Sequence, residues 1–265
     1  MSEALPEVKF GKLVESFRQY EKIAVAFSGG IDSTLTLHAA ISALGAKRVV
    51  ALYALSPLNS NASIVGARAT FAGNFPAAAV FKEIEVNPLL WPEFVVNTED
   101  RCYLCKKRMY SVLGKVMTVE GCSALVDGTN LDDLQEPRPG LKAIREMQIG
   151  TPLAEAGLTK REIRLIAQKE GLANYALPSN SCLATRIQHG RTITEKTLRT
   201  IESAEHFLHE RGFLGCRVRL RDAFFLIEVQ EKDVAAFVES SNRTAVNTYF
   251  QSLQEWPVML NLTGR

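Results

Sequence analysis

The chain has no apolar run that approaches the roughly 20 residues needed to cross a bilayer. Its opening, Met1-Ser2-Glu3-Ala4-Leu5-Pro6-Glu7, lacks the basic-then-apolar layout of a secretory signal. A membrane helix is excluded on this reading, and a cytoplasmic location is the expectation. Charge of one sign is also missing: 31 Lys and Arg stand against 29 Asp and Glu, a net of +2. There is thus no global mark of a nucleic-acid binder. The 5 cysteines are odd in number and unevenly spaced, which argues against a disulfide framework. His38, His189, His206 and His209 show no metal-ligand spacing, and His206 and His209 read as surface residues. No internal repeat or low-complexity segment stands out.

What is present is an ordinary globular composition, 46% hydrophobic and 23% charged over 265 residues. That length holds one large or two modest domains with ample core. Helical patterns cover 8–20, 33–44, 61–73, 102–117 and 159–170. Between them, apolar runs at 23–27, 49–55, 79–86 and 124–127 read as buried strands. This alternation predicts an α/β domain over 1–187, a parallel sheet with helices on both faces. A polar loop with Pro137 and Pro139 follows the fourth strand. From 188 to 265 the texture becomes helix, two strands at 216–220 and 224–230, a helix at 232–249 and a last strand at 258–262. That pattern predicts a small C-terminal α+β domain for substrate binding and oligomerisation.

The first constellation is Ala26-Phe27-Ser28-Gly29-Gly30-Ile31-Asp32-Ser33-Thr34, where a strand meets a helix through two glycines. Such a turn aims consecutive backbone N–H groups at one spot backed by a helix N-terminus, which makes an anion cradle. Ser28, Ser33 and Thr34 add hydroxyl donors. Asp32 either caps the helix or holds a Mg²⁺ shared with phosphates. The Walker pattern is absent. The segment resembles the PP-loop of the adenine-nucleotide alpha hydrolases, which split ATP into AMP and pyrophosphate.

Asp127-Gly128-Thr129-Asn130-Leu131-Asp132-Asp133 ends the fourth strand, where ligands of open α/β sheets collect. Asp132 and Asp133 either hold Mg²⁺ or orient substrate, or they form an acidic turn. Arg138, in Arg138-Pro139-Gly140-Leu141-Lys142, is a candidate phosphate or carboxylate ligand. Cys102 and Cys105 form a Cys-x-x-Cys pair before Lys106, Lys107 and Arg108, and Cys182 follows later. The pair has three readings: a redox pair, half a zinc site, or part of an iron–sulfur cluster. Three thiolates on a 4Fe-4S cluster leave one iron open to an exogenous sulfide. Cys122 and Cys216 read as small buried apolar residues. On a strand, Arg217, Arg219 and Arg221 share one face. They either bind a phosphate-bearing substrate or pair with acids such as Glu228.

Taken together, these motifs resemble the LarE family of ATP-dependent sacrificial sulfur transferases. The matching residues are Ser28 to Thr34, Asp127-Gly128-Thr129-Asn130-x-Asp132-Asp133, Arg138 to Ala143, and Cys182 before Arg186. The resemblance implies a role in making the nickel-pincer nucleotide cofactor of lactate racemase. A carboxylate of pyridinium-3,5-biscarboxylic acid mononucleotide is adenylated, and sulfur displaces AMP to leave a thiocarboxylate. It assigns ATP to Ala26, Ser28, Gly29, Gly30, Asp32, Ser33, Thr34, Gly128 and Thr129, with Mg²⁺ at Asp32. Arg138, Arg217 and Arg219 become substrate ligands. Cys102, Cys105 and Cys182 are similar to the cysteines of the branch that holds a 4Fe-4S cluster. In the other branch a cysteine at the position of Cys182 gives up its own sulfur. The partners implied are the nucleotide substrate, a sulfide donor or sulfur-delivery protein, and further copies of the chain, often as a hexamer. Two other readings stay open: a different PP-loop enzyme, such as a tRNA thiolase or an ammonia-using ligase, and a nucleotide sensor or assembly scaffold.

Overall fold

The computed structural model describes residues 5–135, 139–178 and 181–265. In chain order the elements are α1 (Pro6–Phe17), β1 (Ile23–Ala26), α2 (Ile31–Leu44), β2 (Val49–Leu55), α3 (Asn61–Asn74), β3 (Val80–Glu85) and α4 (Pro92–Val95). Then come α5 (Arg101–Val119), β4 (Ala124–Val126), α6 (Leu131–Gln135), α7 (Pro139–Glu146), α8 (Pro152–Glu155) and α9 (Lys160–Lys169). The chain finishes with α10 (Glu195–Glu210), β5 (Arg217–Leu220), β6 (Phe225–Glu228), α11 (Val234–Phe237), α12 (Ser240–Leu253) and β7 (Val258–Leu260). Among the described residues no helix is long and apolar enough to cross a membrane.

Two compact units emerge. The first holds Met1–Ser56, Asn61–Val86 and Asp100–Ser179; the second holds Pro57–Ser60, Asn87–Glu99 and Asn180–Arg265. The units are not contiguous in sequence. The second unit ties in its early segments by backbone bonds: Leu183 N–H donates to Leu58 O at 2.9 Å, and Ile193 N–H to Val95 O at 2.9 Å. Asn97, fully buried, donates its amide to Gln188 O and Arg191 O at 2.7 and 2.8 Å.

In the first unit four parallel strands lie in the order β3-β2-β1-β4. Each strand is a short apolar run, as a sheet covered on both faces demands. On β1, Ile23 and Val25 pack with Leu13, Phe17, Leu35 and Ile163 on one side, while Ala24 packs with Tyr110, Leu113 and Leu141 on the other. That alternation puts α1, α2 and α9 on one face and α5 and α7 on the opposite one. The chain leaves β1 towards β2 but later returns to add β4 on its other edge. The crevice between the ends of β1 and β4 is the switch point where such sheets bind ligands.

Two expectations fail locally. The polar loop around Pro139 is in fact the start of α7, with Pro139 in its first turn and Leu141, Ala143 and Ile144 buried. Proline suits that position because its missing N–H has no acceptor there. The helix expected over 232–249 is broken: α11 ends after Phe237, and Glu239 turns extended (φ −55°, ψ 145°) as the N-cap of α12. Phe237, at the end of the short helix, packs on Phe213 with ring centroids 4.9 Å apart.

In the second unit β5 and β6 form an antiparallel pair, and β7 lies parallel to β6. Val218 and Leu220 face inwards from β5, so Arg217 and Arg219 face the other way. α10 covers the sheet with Leu198, Ile201, Ala204 and Leu208, and Phe250 of α12 meets Phe225 edge-on at 5.2 Å.

Candidate active site

The loop after β1 is braced from within. Ser33 Oγ and Thr34 Oγ1 both donate to Gly30 O at 2.9 Å, and Ser28 N–H donates to Ser33 Oγ at 3.1 Å. The buried hydroxyls of Ser33 and Thr34 thus brace the loop's shape. By helix geometry the first-turn N–H groups of α2, at Ile31, Asp32 and Ser33, have no intrahelical acceptor. They point a positive dipole end at the space over the loop. Gly29 has φ +78°, and a Cβ there would lie 2.6 Å from Ala67 Cα on α3. Gly128, after β4, is equally constrained: its Cβ would stand 2.7 Å from Ser33 N and 2.9 Å from Asp32 C. The close approach Gly128 permits is therefore to the first turn of α2 itself. The loops after β1 and β4 form one packed platform at the switch point.

Asp32 does not cap α2; Gly30 occupies the N-cap and no side chain caps it. Instead the Asp32 carboxylate pairs with Lys160 Nζ, while its Oδ1 is buried with no hydrogen-bond partner among the described residues. Burial pushes the Asp32 carboxyl above its ordinary range, against the opposing pull of Lys160. Lys160 opens α9, where its N–H donates to Asp132 Oδ2 at 2.7 Å. Asp133 exchanges bonds with Asn130 at 3.1 and 3.2 Å. The two acids thus serve the starts of α9 and α6, the acidic-turn reading of this segment.

Asp127 is buried at the end of β4. Its Oδ1 accepts from Thr129 N–H at 2.9 Å, its Oδ2 accepts from Tyr110 OH at 2.5 Å, and Lys106 Nζ stands 4.0 Å away. Burial, then the Asp127 charge, drives the Tyr110 hydroxyl pKa well up, so Tyr110 stays a proton donor to Asp127.

Cys102 and Cys105 lie in the first two turns of α5 at i and i+3, on one side of the helix. Both are half-buried, and Arg101 Nη2 stands 3.8 Å from Cys102 Sγ. Cys182 belongs to the second unit and is the N-cap of a 3₁₀ turn over Leu183–Arg186. Its carbonyl accepts from Thr185 N–H at 3.0 Å and from Arg186 Nη1 at 3.1 Å. Arg186 is 2% exposed; it donates to Ser181 O at 2.7 Å and pairs with Glu205 at 2.9 Å. No cysteine is in a disulfide. Among the described residues no group of three or more His, Cys, Asp or Glu side chains is placed to hold a metal ion. Cys122 and Cys216 are buried, as expected, and burial pushes the Cys216 thiol up to about 12. His209 departs from the surface reading: its Nε2 is buried, and burial lowers its pKa.

On β5 the two readings divide between residues. Arg219 Nε pairs with Glu228 at 2.8 Å, whereas the buried Arg217 Nε has no partner among the described residues. Burial pushes Arg217 down to about 10, and the charges of Arg265, Arg186 and Arg219 add to the effect. Arg138 lies outside the described residues.

Sequence reasoning missed Lys160 and Asn174. The capping box Thr159-Lys160-Arg161-Glu162 marks Lys160 as the first residue of a helix, though not what it faces. Asn174, 3% exposed, donates to Gly29 O and Thr34 Oγ1 at 3.0 Å each, and no local pattern announces it.

No family model matches the chain. It is 32% identical over 260 residues to an uncharacterized protein of Synechocystis, covering 97% of this chain and 95% of that protein. An uncharacterized protein of Methanocaldococcus jannaschii is 34% identical over 221 residues, 83% of this chain and 81% of that protein. Pyridinium-3,5-bisthiocarboxylic acid mononucleotide synthase of Lactiplantibacillus plantarum is 32% identical over 256 residues, 97% of this chain and 91% of the synthase. A relationship that runs the length of both chains, with the platform built from the motif residues, establishes that the chain belongs to the family of that synthase, the LarE family.

Proposed function

We propose that this protein is an ATP-dependent sulfur transferase that converts a carboxylate of pyridinium-3,5-biscarboxylic acid mononucleotide to a thiocarboxylate. The observation that carries the reading is the chain-long relationship to the synthase of that name. A carboxylate resists attack because its oxygen is a poor leaving group. In the proposed first step a substrate carboxylate oxygen attacks the α-phosphorus of ATP, and pyrophosphate leaves. The loop from Ser28 to Thr34 holds the pyrophosphate on its N–H groups, and Lys160 offsets charge as it develops. The buried, unpartnered Asp32 Oδ1 would hold a Mg²⁺, which would supply positive charge to offset that of the phosphates. In the second step sulfide attacks the acyl carbon, and AMP departs with the oxygen.

The sulfide is assigned to a 4Fe-4S cluster held by Cys102, Cys105 and Cys182. An all-thiolate donor set suits iron–sulfur ligation, and Arg101 beside Cys102 offsets thiolate charge. When bound, the cluster supplies sulfide as the nucleophile.

The test is purification without oxygen, followed by absorbance, iron and acid-labile sulfide measurements on the wild type and on Cys102→Ala, Cys105→Ala and Cys182→Ala. The expectation is a coloured wild type and loss of iron in each variant. A colourless, iron-free wild type overturns the cluster. Mass spectrometry after turnover then identifies the rival route, in which Cys182 loses about one H₂S and becomes dehydroalanine. Absence of pyrophosphate release with any pyridine mononucleotide overturns the whole reading.

A further inference from the structure

α5 is anchored to the sheet through its middle, where Tyr110 and Leu113 are buried. Beyond Arg101, its first two turns are not: every residue from Cys102 to Met109 is at least partly exposed. Asp100, at the N-cap, gives the helix no side-chain hydrogen bond among the described residues. The turns that carry Cys102 and Cys105 are therefore held by something other than a buried side chain of their own.

Polar contacts with α7 take that place. Tyr103, between the two cysteines, donates its hydroxyl to Glu146 Oε2 at 2.7 Å. Lys107 Nζ donates to the Tyr103 hydroxyl at 2.9 Å and to Glu146 Oε2 at 2.9 Å, which closes a triangle. The ammonium groups of Lys107 and Lys142 lie 5.2 and 4.8 Å from the centroid of the Tyr103 ring. Lys142 also stands 4.0 Å from Glu146 Oε1. Lys106 lies against Gly140 of α7, where a Cβ would come within 2.9 Å of Lys106 Cδ. We propose that Tyr103 is a positioning residue: through Glu146 it locks the start of α5 to α7 and so holds the Cys102 and Cys105 thiols as one preformed pair. That the pair serves the cluster rests on the function proposed above.

Tyr103 and Lys107 stand at i and i+4, so the triangle ties one face of the helix start to the neighbouring helix. Tyrosine has two side-chain torsions, and here its ring and its hydroxyl are both engaged. The turn cannot rotate or fray without breaking these contacts. Cys102 precedes Tyr103 and Cys105 follows two residues later, so the directions of both thiols are set by the same turn. A ligand that needs two thiolates binds best when both are already in place, because it then does not have to order the turn. Without the lock, both thiols remain but the helix start joins the weakly held parts of the fold.

The test compares wild type with Tyr103→Phe, Glu146→Gln and the double variant, all purified without oxygen. One probe is phenylarsine oxide, added to protein stripped of metal by a chelator. Its arsenic bonds to two thiols and its oxygen leaves as water with their protons. Peptide mapping by mass spectrometry confines the readout to the adduct that bridges Cys102 and Cys105. The other probe is the rate at which iron passes from the isolated protein to a chelator. Tyr103→Phe should weaken the bridging adduct about 3- to 10-fold and speed iron loss by a similar factor. The urea midpoint should stay near that of the wild type, since the contacts are partly exposed. Glu146→Gln should reproduce the loss and stands in if Tyr103→Phe fails to fold. The double variant should lose no more than either single one, as members of one network do. Wild-type arsenical affinity in both single variants, additive losses in the double variant, or unchanged iron release overturns the assignment. If the wild type holds no iron, the proposed cluster fails and the arsenical alone decides: a loss in both variants still upholds the lock. If the wild type forms no bridging adduct, the thiols are not held as a pair and the lock is refuted.

Discussion

At the end of β1 the donors are backbone N–H groups, and the carboxylate among them, Asp32, is matched by Lys160. Beside β5 the donors are guanidiniums, and Arg186, Arg217, Arg219 and Arg265 face Glu205 and Glu228. The first region can attract an anion while nearly neutral, because its field comes from aligned peptide dipoles. The second depends on surplus side-chain charge. A cradle of dipoles has no side chain whose deletion removes it; it fails when the backbone is pushed aside. A cationic row can be dismantled one residue at a time, and its members divide into those paired with an acid, Arg186 and Arg219, and those such as Arg217 whose buried Nε has no partner among the described residues.

The sharpest break in that second region should come from Glu205→Ala. Arg186 and Glu205 side chains are 2% and 10% exposed, and Glu205 Oε1 also accepts from Val218 N–H at 3.0 Å. Removing the acid strands a buried guanidinium, which costs about 3–5 kcal/mol. Urea unfolding should record a loss of that order, and the segment around Ser181 and Cys182 should gain protease sensitivity. A loss below about 1 kcal/mol, the scale of a surface pair, would mean that the pair is not what holds the turn.

In the first region a single methyl group should suffice. Gly128→Ala places a carbon against Ser33 N and Asp32 C, both backbone atoms that cannot swing away. Overpacking of this kind costs about 1–3 kcal/mol. Because the displaced atoms carry the cradle, binding of a non-hydrolysable ATP analogue should fall much further than stability, while inorganic phosphate still binds beside β5. Loss of both ligands together would collapse the distinction between the two regions.

The same contrast governs what could be read from sequence. The cradle was legible because its requirements are local: an apolar strand, two glycines and a helix in immediate succession. The parallel sheet was legible for the same reason, through runs such as Ile23–Ala26 and Val49–Leu55. The break between α11 and α12 was not: α11 ends after Phe237, whose ring packs on Phe213, a contact that no local pattern announces. Nor was the start of α7 at Pro139, where proline admits both a loop and a first helical turn. The face shared by Arg217 and Arg219 followed from strand periodicity. Which of them takes Glu228 did not, because the ion pair runs diagonally: Glu228 sits opposite Arg217 in register yet bonds Arg219. Lys160 was silent because its partner lies 128 residues earlier in the chain.

Lys160→Met tests whether the cradle's neutrality matters. Both partners are partly exposed, so the loss of stability should be on the order of 1 kcal/mol. Its pH dependence is diagnostic. The Asp32 carboxyl is already raised by burial, and removing Lys160 raises it further. A raised carboxyl pKa contributes stability below the unfolded value that is lost as pH rises through the folded one. The deficit of the variant should therefore widen as pH rises above the ordinary carboxylate range and level off once Asp32 ionises in the folded variant. A deficit that is constant with pH would show that Asp32 does not feel Lys160.

Glu228→Gln carries the smallest expected effect and probes the cationic row from the opposite side. The substitution releases Arg219 and removes one negative charge, so inorganic phosphate should bind about two- to fivefold more tightly at low salt, and the gain should shrink as salt is added. Burial pushes the Glu228 carboxyl up, but Arg219, Arg217 and Arg265 outweigh it and hold the carboxyl below its ordinary range. A lowered carboxyl pKa stabilises the fold above the unfolded value and loses that contribution as pH falls through the folded one. The variant should therefore show a flatter acid limb than wild type, below the usual carboxylate range. If phosphate affinity falls instead, the acid is orienting Arg219 towards the anion, and Arg219 is itself a direct ligand.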